Sequence, residues 1–584
     1  GSDGIIYKAK TGTDLAPNAN KNPTTDSENW EEEQKLDVVD NIEDLATYSG
    51  TGLVMVKDIN RGGTFVSKTA IEIDLNTGSL YTVNGGTVFA KLGGGFWVRQ
   101  YSGDVNVKWF GVKGDGVYND SDVFQAVIND FDCFVPNSTY ILGEINIPAN
   151  RKITTDNLVV VKQLSGAIGD RRTFNIVGSN VSIGDMTIIG NISTDSGEQR
   201  HGIFVRASST TGNLTNINIG NIRGVDIRGD VIYIGQTAGY KVTNVSIGDV
   251  VVDNVFRNGV SIVSGDNVSI KSVTGDKIGF CHVDIEPNVG SGTATNIKIG
   301  YVKGRNLFIV PPTSVDYADS ITIDMIDLST SHATQSTPPY SPGVSIDDGL
   351  VLRNAKRIKI GHLKVSNFNR CGIFITYNSG ELGCEDLIID TVYIRNCSLT
   401  DTTYSSYINV PALTSNSLKI GYLNIEILQS SKRGFDGLRN AIIDMVVANI
   451  QSSSVLLRNC QNVKIGNINQ TGSNGFLMVN SSNNKICGGV FTGDRLASDS
   501  TNCMFENLTA TASVFLFTSG KENHTILNST LNGVYYSLGT GARDYINCLK
   551  FGSYSLWVSS TGKLYIKNGV PTSDTDGSIV GTQS

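Results

Sequence analysis

A short strand signature, apolar-x-Ile-Gly-x-apolar, recurs through the middle of this chain and constrains its fold more than any other feature. It occurs at Val181–Met186, Ile217–Ile222, Val245–Val250, Ile297–Val302, Ile358–Leu363, Leu418–Leu423 and Val463–Ile468, and in shortened form around Ile270, Ile323, Ile389, Ile443 and Ile486. The interval varies between about 21 and 37 residues, the range of solenoid repeats. In most intervals a second strand follows, as at Gly202–Val205, Val231–Ile234, Gly259–Ile262, Val283–Glu286, Leu307–Val310, Gly349–Leu352 and Gly372–Ile375. A coil of two or more short strands cannot bury its apolar face alone, so it must stack on its neighbours. The expected fold is all-β, a right-handed parallel β-helix. About twelve coils at roughly 4.8 Å each predict a rod of about 60 Å.

Composition agrees. The 584 residues include 64 Gly against only 12 Pro, with abundant Val, Ile, Asn, Ser and Thr and almost no sustained helical periodicity. A formal charge of -8 argues against a generally basic surface for nucleic acid or anionic membrane. No signal peptide and no apolar run long enough to span a bilayer is present, so membrane insertion is not expected. The 9 Cys are scattered, odd in number and form no Cys-x-x-Cys pair. They predict neither a zinc site nor a disulfide framework, but small buried apolar residues folded in a reducing cytoplasm. Gly1-Ser2 reads as the remnant of a fused tag, so a natural N-terminal segment is expected to precede it.

The organisation follows from the pattern. Residues 1–104 alternate β-like runs with Gly-rich turns and predict a small N-terminal β-rich domain. Residues 105–135 predict a capping segment: Asn119 or Asp120 is a candidate N-cap, and Val123, Phe124, Val127, Ile128 and Phe131 recur at helical spacing. Such a helix covers the open strand edges of a first coil. Gly114-Asp115-Gly116 lacks the Lys-Ser/Thr of a phosphate loop and reads as a tight turn. Residues 136–495 form the predicted β-helix. Residues 496–584 lose the repeat but stay β-rich and predict a C-terminal β-rich domain.

Trp109–Asp120, followed by that short helix, resembles the start of the pectate-lyase-like β-helix of bacteriophage tailspikes, and Gly562–Gly577 resembles the tail end of phage fibre and tailspike chains. The resemblance implies a homotrimer that binds and degrades bacterial surface polysaccharide, capsule or O-antigen. It also implies a virion tail location, reached through the preceding N-terminal segment after synthesis in the host cytoplasm.

Strict alternation over residues 280–288 puts Val283 and Ile285 on one face and His282, Asp284 and Glu286 on the other. Aligning the second strands stacks Phe204, Tyr233, Ser261, Asp284, Phe308, Val351 and Phe374 in one outward column. A second column holds Arg206, Gly235, Val263, Glu286, Val310, Arg353 and Thr376. Carboxylates among aromatic rings and a guanidinium suit an acidic glycan. Glycoside hydrolysis generally uses two carboxyl groups, and like charges so close raise the proton affinity of one. The expected roles are Glu286 as general acid and Asp284 as its partner, with His282 orienting or binding substrate and Tyr233, Phe308, Phe374 and Arg353 contacting the glycan. Asp347 and Asp348 are second-choice acids, beside a loop, 329–342, whose Tyr340 can overhang the same face. Asp253, Glu381, Glu385 and Glu426 are weaker candidates. The bland alternatives are an outward ladder of structural acids and, for Asp347-Asp348-Gly349, a turn. A polysaccharide lyase with His282 or a Tyr as base and a non-enzymatic glycan adhesin are the competing functions. The other histidines, His201 among them, lack metal-ligand spacing, and neither a metal nor a cofactor is expected.

Overall fold

A computed structural model of the chain describes residues 5–9, 30–35, 37–74, 78–165, 171–194, 197–288, 290, 292–312, 316–329, 347–376, 384–398, 406–410, 418–429, 431–450, 454–472, 476–492, 495–498 and 500–510, with short segments between 515 and 582. Two units are present, residues 1–167 with 173–189, and residues 168–172 with 190–584.

In the first unit, Asp37–Val39, Leu53–Val56, Gly63–Lys68, Phe96–Arg99 and Val88–Ala90 form a sheet in that order. Val54, Val56, Phe65 and Trp97 share a core with Ile42 and Leu45 of a 3-10 turn. The Gly-Asp-Gly run turns at Asp115, whose Oδ1 accepts the N–H groups of Val117 and Tyr118 at 2.9 and 2.8 Å, and it opens a short strand, Asp115–Asn119, that pairs irregularly with Thr139–Leu142. Those two bonds hold the Asp115 carboxyl below the usual range. The helix Ser121–Asp130 follows and buries Phe124, Val127 and Ile128. Asp120 stands at its N-cap, yet its carboxylate turns back to accept the N–H groups of Lys113 and Gly114 at 2.8 and 2.9 Å. Asn119 serves the first turn instead, its Oδ1 taking the Ser121 N–H at 3.1 Å. Gln125 fastens the helix to the first coils, donating to the Asn146 carbonyl and accepting the Asn146 N–H at 2.8 and 2.7 Å.

The second unit is a parallel β-helix. Its long strands, from Val242–Val255 and Gly265–Ile278 through Ala294–Gly304, Ala318–Ser329, Ala355–Ser366, Glu385–Arg395, Leu418–Ile427 and Ala441–Ile450 to Lys464–Thr471, pair in parallel, one coil on the next. Register stacks Ile219, Ile247, Ile270, Ile299, Ile323, Ile360, Ile389, Ile420, Ile443, Ile465 and Ile486 directly over one another. None is more than 2% exposed, so this column is the inner core. The glycine after the isoleucine has a steric cause. A Cβ on Gly300, Gly361, Gly421 or Gly466 would lie 2.6, 2.5, 2.7 or 2.5 Å from the backbone oxygen of Lys271, Asp324, Asp390 or Asp444 in the preceding coil. Among the described residues eight cysteines are free and, Cys487 apart, buried. The last residues form an antiparallel sheet, Leu549–Phe551, Tyr554–Val558, Lys563–Asn568 and Ser578–Thr582.

The second sheet of this unit carries the site. Its strands Ile203–Ala207, Ile232–Gln236, Val260–Ile262, Val283–Ile285, Leu307–Ile309, Leu350–Arg353 and Ile373–Thr376 also pair in parallel, in that order. Strands of three to five residues leave room for only one or two outward side chains each, so outward positions are set coil by coil.

Candidate functional site

The register brings Phe204, Tyr233, Ser261, Asp284, Phe308, Val351 and Phe374 into one column, as alternation predicts. Arg206 pairs with Gly235, and Arg353 with Thr376, in the second column. Val263, Glu286 and Val310 continue it just beyond the paired strands, each N–H bonded to the coil before it.

Exposure departs from expectation. His282 is fully buried. It sits in a bend before the strand begins at Val283, so the alternation does not reach it. Its Nε2 lies 3.1 Å from the Gly275 carbonyl, and its Nδ1 accepts the Arg305 N–H at 3.1 Å. The ring fills the space where Gly304 lacks a side chain. His282 therefore holds the framework and does not face a glycan. Phe308, Val351 and Phe374 are covered too, forming with Cys281, Val310 and Cys371 an apolar cluster against which Phe280 packs. Outward apolar side chains on adjacent coils bury one another, because their shared removal from water outweighs exposure. Phe308 and Phe374 thus offer no open ring to a sugar.

Asp348 is likewise interior. Its Oδ1 accepts the Cys371 N–H at 2.9 Å and its Oδ2 lies 3.2 Å from Arg370 Nη1. The Asp347 carbonyl accepts the Arg370 N–H at 3.2 Å. This is the turn reading of Asp347-Asp348-Gly349, with Asp348 capping the next coil instead of serving as an acid. Tyr340 and Glu381 lie outside the described residues.

The remaining residues form a connected charged group. Glu286 is half-buried, its side chain 35% exposed, and its Oε1 lies 3.9 Å from Arg353 Nη2. Arg353 is held by the carbonyls of Val310 and Pro311, at 2.6 and 3.0 Å. Asp284 is 4% exposed. Its Oδ2 accepts from Asn258 Nδ2 at 3.3 Å, while its Oδ1 has no hydrogen-bond partner among the described residues. Burial, and then the charge of Glu286, push the Asp284 carboxyl well above the usual carboxylate range. Burial also raises Glu286, against the opposing pull of Arg353 and Arg257. Two acids that hold protons unusually tightly, one reachable from solvent, suit proton donation near neutral pH.

Asp230, Asn258, Arg257 and His201 were not picked out by sequence. They occupy a ladder two residues before each short strand, or beside it. His201 Nδ1 accepts the Asp230 N–H at 3.0 Å, Asp230 Oδ1 the Asn258 N–H at 3.1 Å, and Asn258 Oδ1 the Cys281 N–H at 3.2 Å. Asp348 repeats the role higher up. Each side chain supplies the acceptor that a bending backbone does not. Burial opposes charge on Asp230, yet Arg257, its Nε 3.6 Å away, and His201 prevail and hold the carboxyl below its usual range. Asn258 is oriented by the Cys281 N–H, which fixes its Nδ2 toward Ser261 Oγ (2.9 Å) and Asp284. Tyr233 is half-buried, stacked on Phe204 at 4.9 Å and 20°.

A parallel β-helix that presents a half-exposed acid, a buried partner acid, guanidinium groups and an aromatic ring on one sheet has the equipment of a carbohydrate-cleaving protein. Residues 181–582 match the family model described as capsule depolymerase, and the chain belongs to that family. No curated protein matches it. Among solved structures it is similar to the full-length tailspike protein 2 of an Escherichia coli O157:H7 bacteriophage, with 14% identity, 90% of this chain and 62% of that chain covered, and a TM-score of 0.34. The chain thus spans 62% of the length of that relative. It is also similar to a tailspike protein of the Acinetobacter baumannii bacteriophage Fri1, a capsular polysaccharide depolymerase (11% identity, 91% and 81% covered, TM-score 0.32), and to an iota-carrageenase complexed to iota-carrageenan fragments (12%, 54% and 90%, TM-score 0.33).

Proposed function

We propose that this capsule depolymerase is a bacteriophage tailspike that works as a homotrimer and cuts capsular polysaccharide internally by hydrolysis. The carrying observation is Glu286, an acid with raised proton affinity that solvent can reach, two residues from a second acid and beside Arg353. Glu286 gives a proton to the leaving glycosidic oxygen, and Asp284, buried beside it at 4% exposure, acts as its partner through its charge once ionised, without touching the sugar. Asp230 stays ionised, keeps Arg257 in place and adds no competing proton. Exposed Met325, Ile388, Tyr393, Ile442 and Met445 on the long sheet favour further copies of the chain as partners.

The lyase reading loses the base first considered for it, since both ring nitrogens of His282 are engaged within the framework. Tyr233 is the remaining candidate, but burial makes its hydroxyl hold its proton more tightly than usual. Digestion of host capsule in oxygen-18 water, followed by mass spectrometry, tests the proposal. Hydrolysis predicts fragments carrying one labelled oxygen; unsaturated, ultraviolet-absorbing ends would replace it with elimination. Light scattering should count three chains per particle, and a monomer that cuts capsule at full rate would remove the homotrimer.

A further inference from the structure

Two coils before Glu286, the same sheet holds a group that the chemistry above leaves unused. The Tyr233 ring leans across Gly235, where a Cβ would meet its Cε1 at 2.8 Å and its hydroxyl at 2.9 Å. Only glycine lets the ring lie toward the second column. Directly across from Gly235, on the neighbouring strand, is Arg206. Arg206 is exposed, and its guanidinium makes no ion pair among the described residues. Behind it, Arg172 sits over Phe204 at 4.2 Å, and Phe204 stacks on Tyr233. The charges of Arg206, Arg257 and Arg172 all reach the Tyr233 hydroxyl, against the single carboxylate of Asp230. Arg257 is spoken for by Asp230 and by Glu198, 4.0 Å away. Arg206 is not.

We propose that Tyr233 and Arg206, backed by Arg172, form a subsite that holds a negatively charged sugar residue of the glycan, about 10–15 Å along the sheet from Glu286, at two strand spacings for Tyr233 and three for Arg206. The inference rests on the depolymerase reading and narrows its substrate class to anionic polysaccharides. A pyranose face stacks on the half-exposed ring, and the anion, a carboxylate or a phosphate or sulfate ester, is met by the planar donors of Arg206. A neutral chain would leave that guanidinium to water and gain only the stacking.

The test uses the full chain and a capsular polysaccharide that it shortens, in three forms: native, with carboxylates reduced by carbodiimide and borohydride, and with phosphate and sulfate esters removed. Arg206→Ala should raise KM on the native glycan about tenfold, the effect of one charge-assisted hydrogen bond at a partly exposed site, with kcat within about twofold. Arg206→Lys should recover part of the loss. On whichever form has lost its anion, wild type and Arg206→Ala should converge, and that form identifies the anion. Equal KM for wild type and variant on native glycan overturns the subsite, as does a wild type indifferent to both treatments. Failure of the hydrolytic reading shows elsewhere, as an active Glu286→Gln variant or unsaturated products, and leaves the KM comparison intact.

Discussion

Replacing Glu286 by glutamine preserves the shape of the side chain, its backbone bond to Ile262 and an acceptor oxygen toward Arg353, and removes the transferable proton. The structural cost is small. The residue is half-exposed, and an ion pair at 3.9 Å in that setting contributes no more than about 1 kcal/mol. The catalytic cost is large, because loss of a positioned general acid lowers kcat by roughly 10²–10⁴, or about 3–5 kcal/mol of barrier. A second effect follows from the coupling of the two acids. The charge of Glu286 is one cause of the raised proton affinity of Asp284, so removing it lowers that affinity. Any residual activity still needs Asp284 ionised, so its acid limb should lie at lower pH than in wild type. Reducing-end release from host capsule measures the rate, and thermal melting monitors the fold. A variant that melts like wild type and cuts within about threefold of its rate would refute the assignment of the acid.

Asp284→Asn should alter stability with a definite sign. The folded protein holds the Asp284 proton above its unfolded range, so its contribution is complete below about pH 3.9 and is lost as pH rises through the folded value. The amide has no such loss, so the melting temperature of the variant relative to wild type should climb with pH; a flat difference would contradict the burial argument. Asp348→Ala removes the acceptor of the Cys371 N–H and the partner of Arg370, and should cost about 3–5 kcal/mol in denaturant unfolding with kcat unchanged. A loss of kcat at unchanged stability would return Asp348 to the chemistry.

The isoleucine column was legible because each coil repeats an inward side chain, and the coils of Gly300, Gly361, Gly421 and Gly466 follow it with a residue that has no Cβ under the neighbouring carbonyl. The outward columns were legible as well, since alternation and strand pairing fix which residues stack. Exposure was not. Phe308, Val351 and Phe374 have the pattern of a solvent face, and their burial depends on Phe280, Cys281 and Cys371, which lie outside the strands. His282 escaped because a one-residue bend ended the alternation early. The ladder through His201, Asp230, Asn258 and Asp348 left no sequence trace, since imidazole, carboxylate and amide all accept a backbone N–H and the position has no fixed residue type. Asp230 and Arg257 came into view only through that ladder.

The tight seat of each Ile-Gly step against the preceding carbonyl also bears on how such a chain can diversify. From Gly248 onward glycine alternates with Lys271, Asp324, Asp390 and Asp444, so the fit repeats every two turns, and a pair of turns can be lifted out, or a foreign pair slotted in, without disturbing the fit on either side. A cut of one residue enjoys no such tolerance, because it reverses which side chains face inward. The turn bearing Tyr233 and the turn bearing Glu286 lie two coils apart, so the proposed grip can be exchanged while the proposed acid stays where it is.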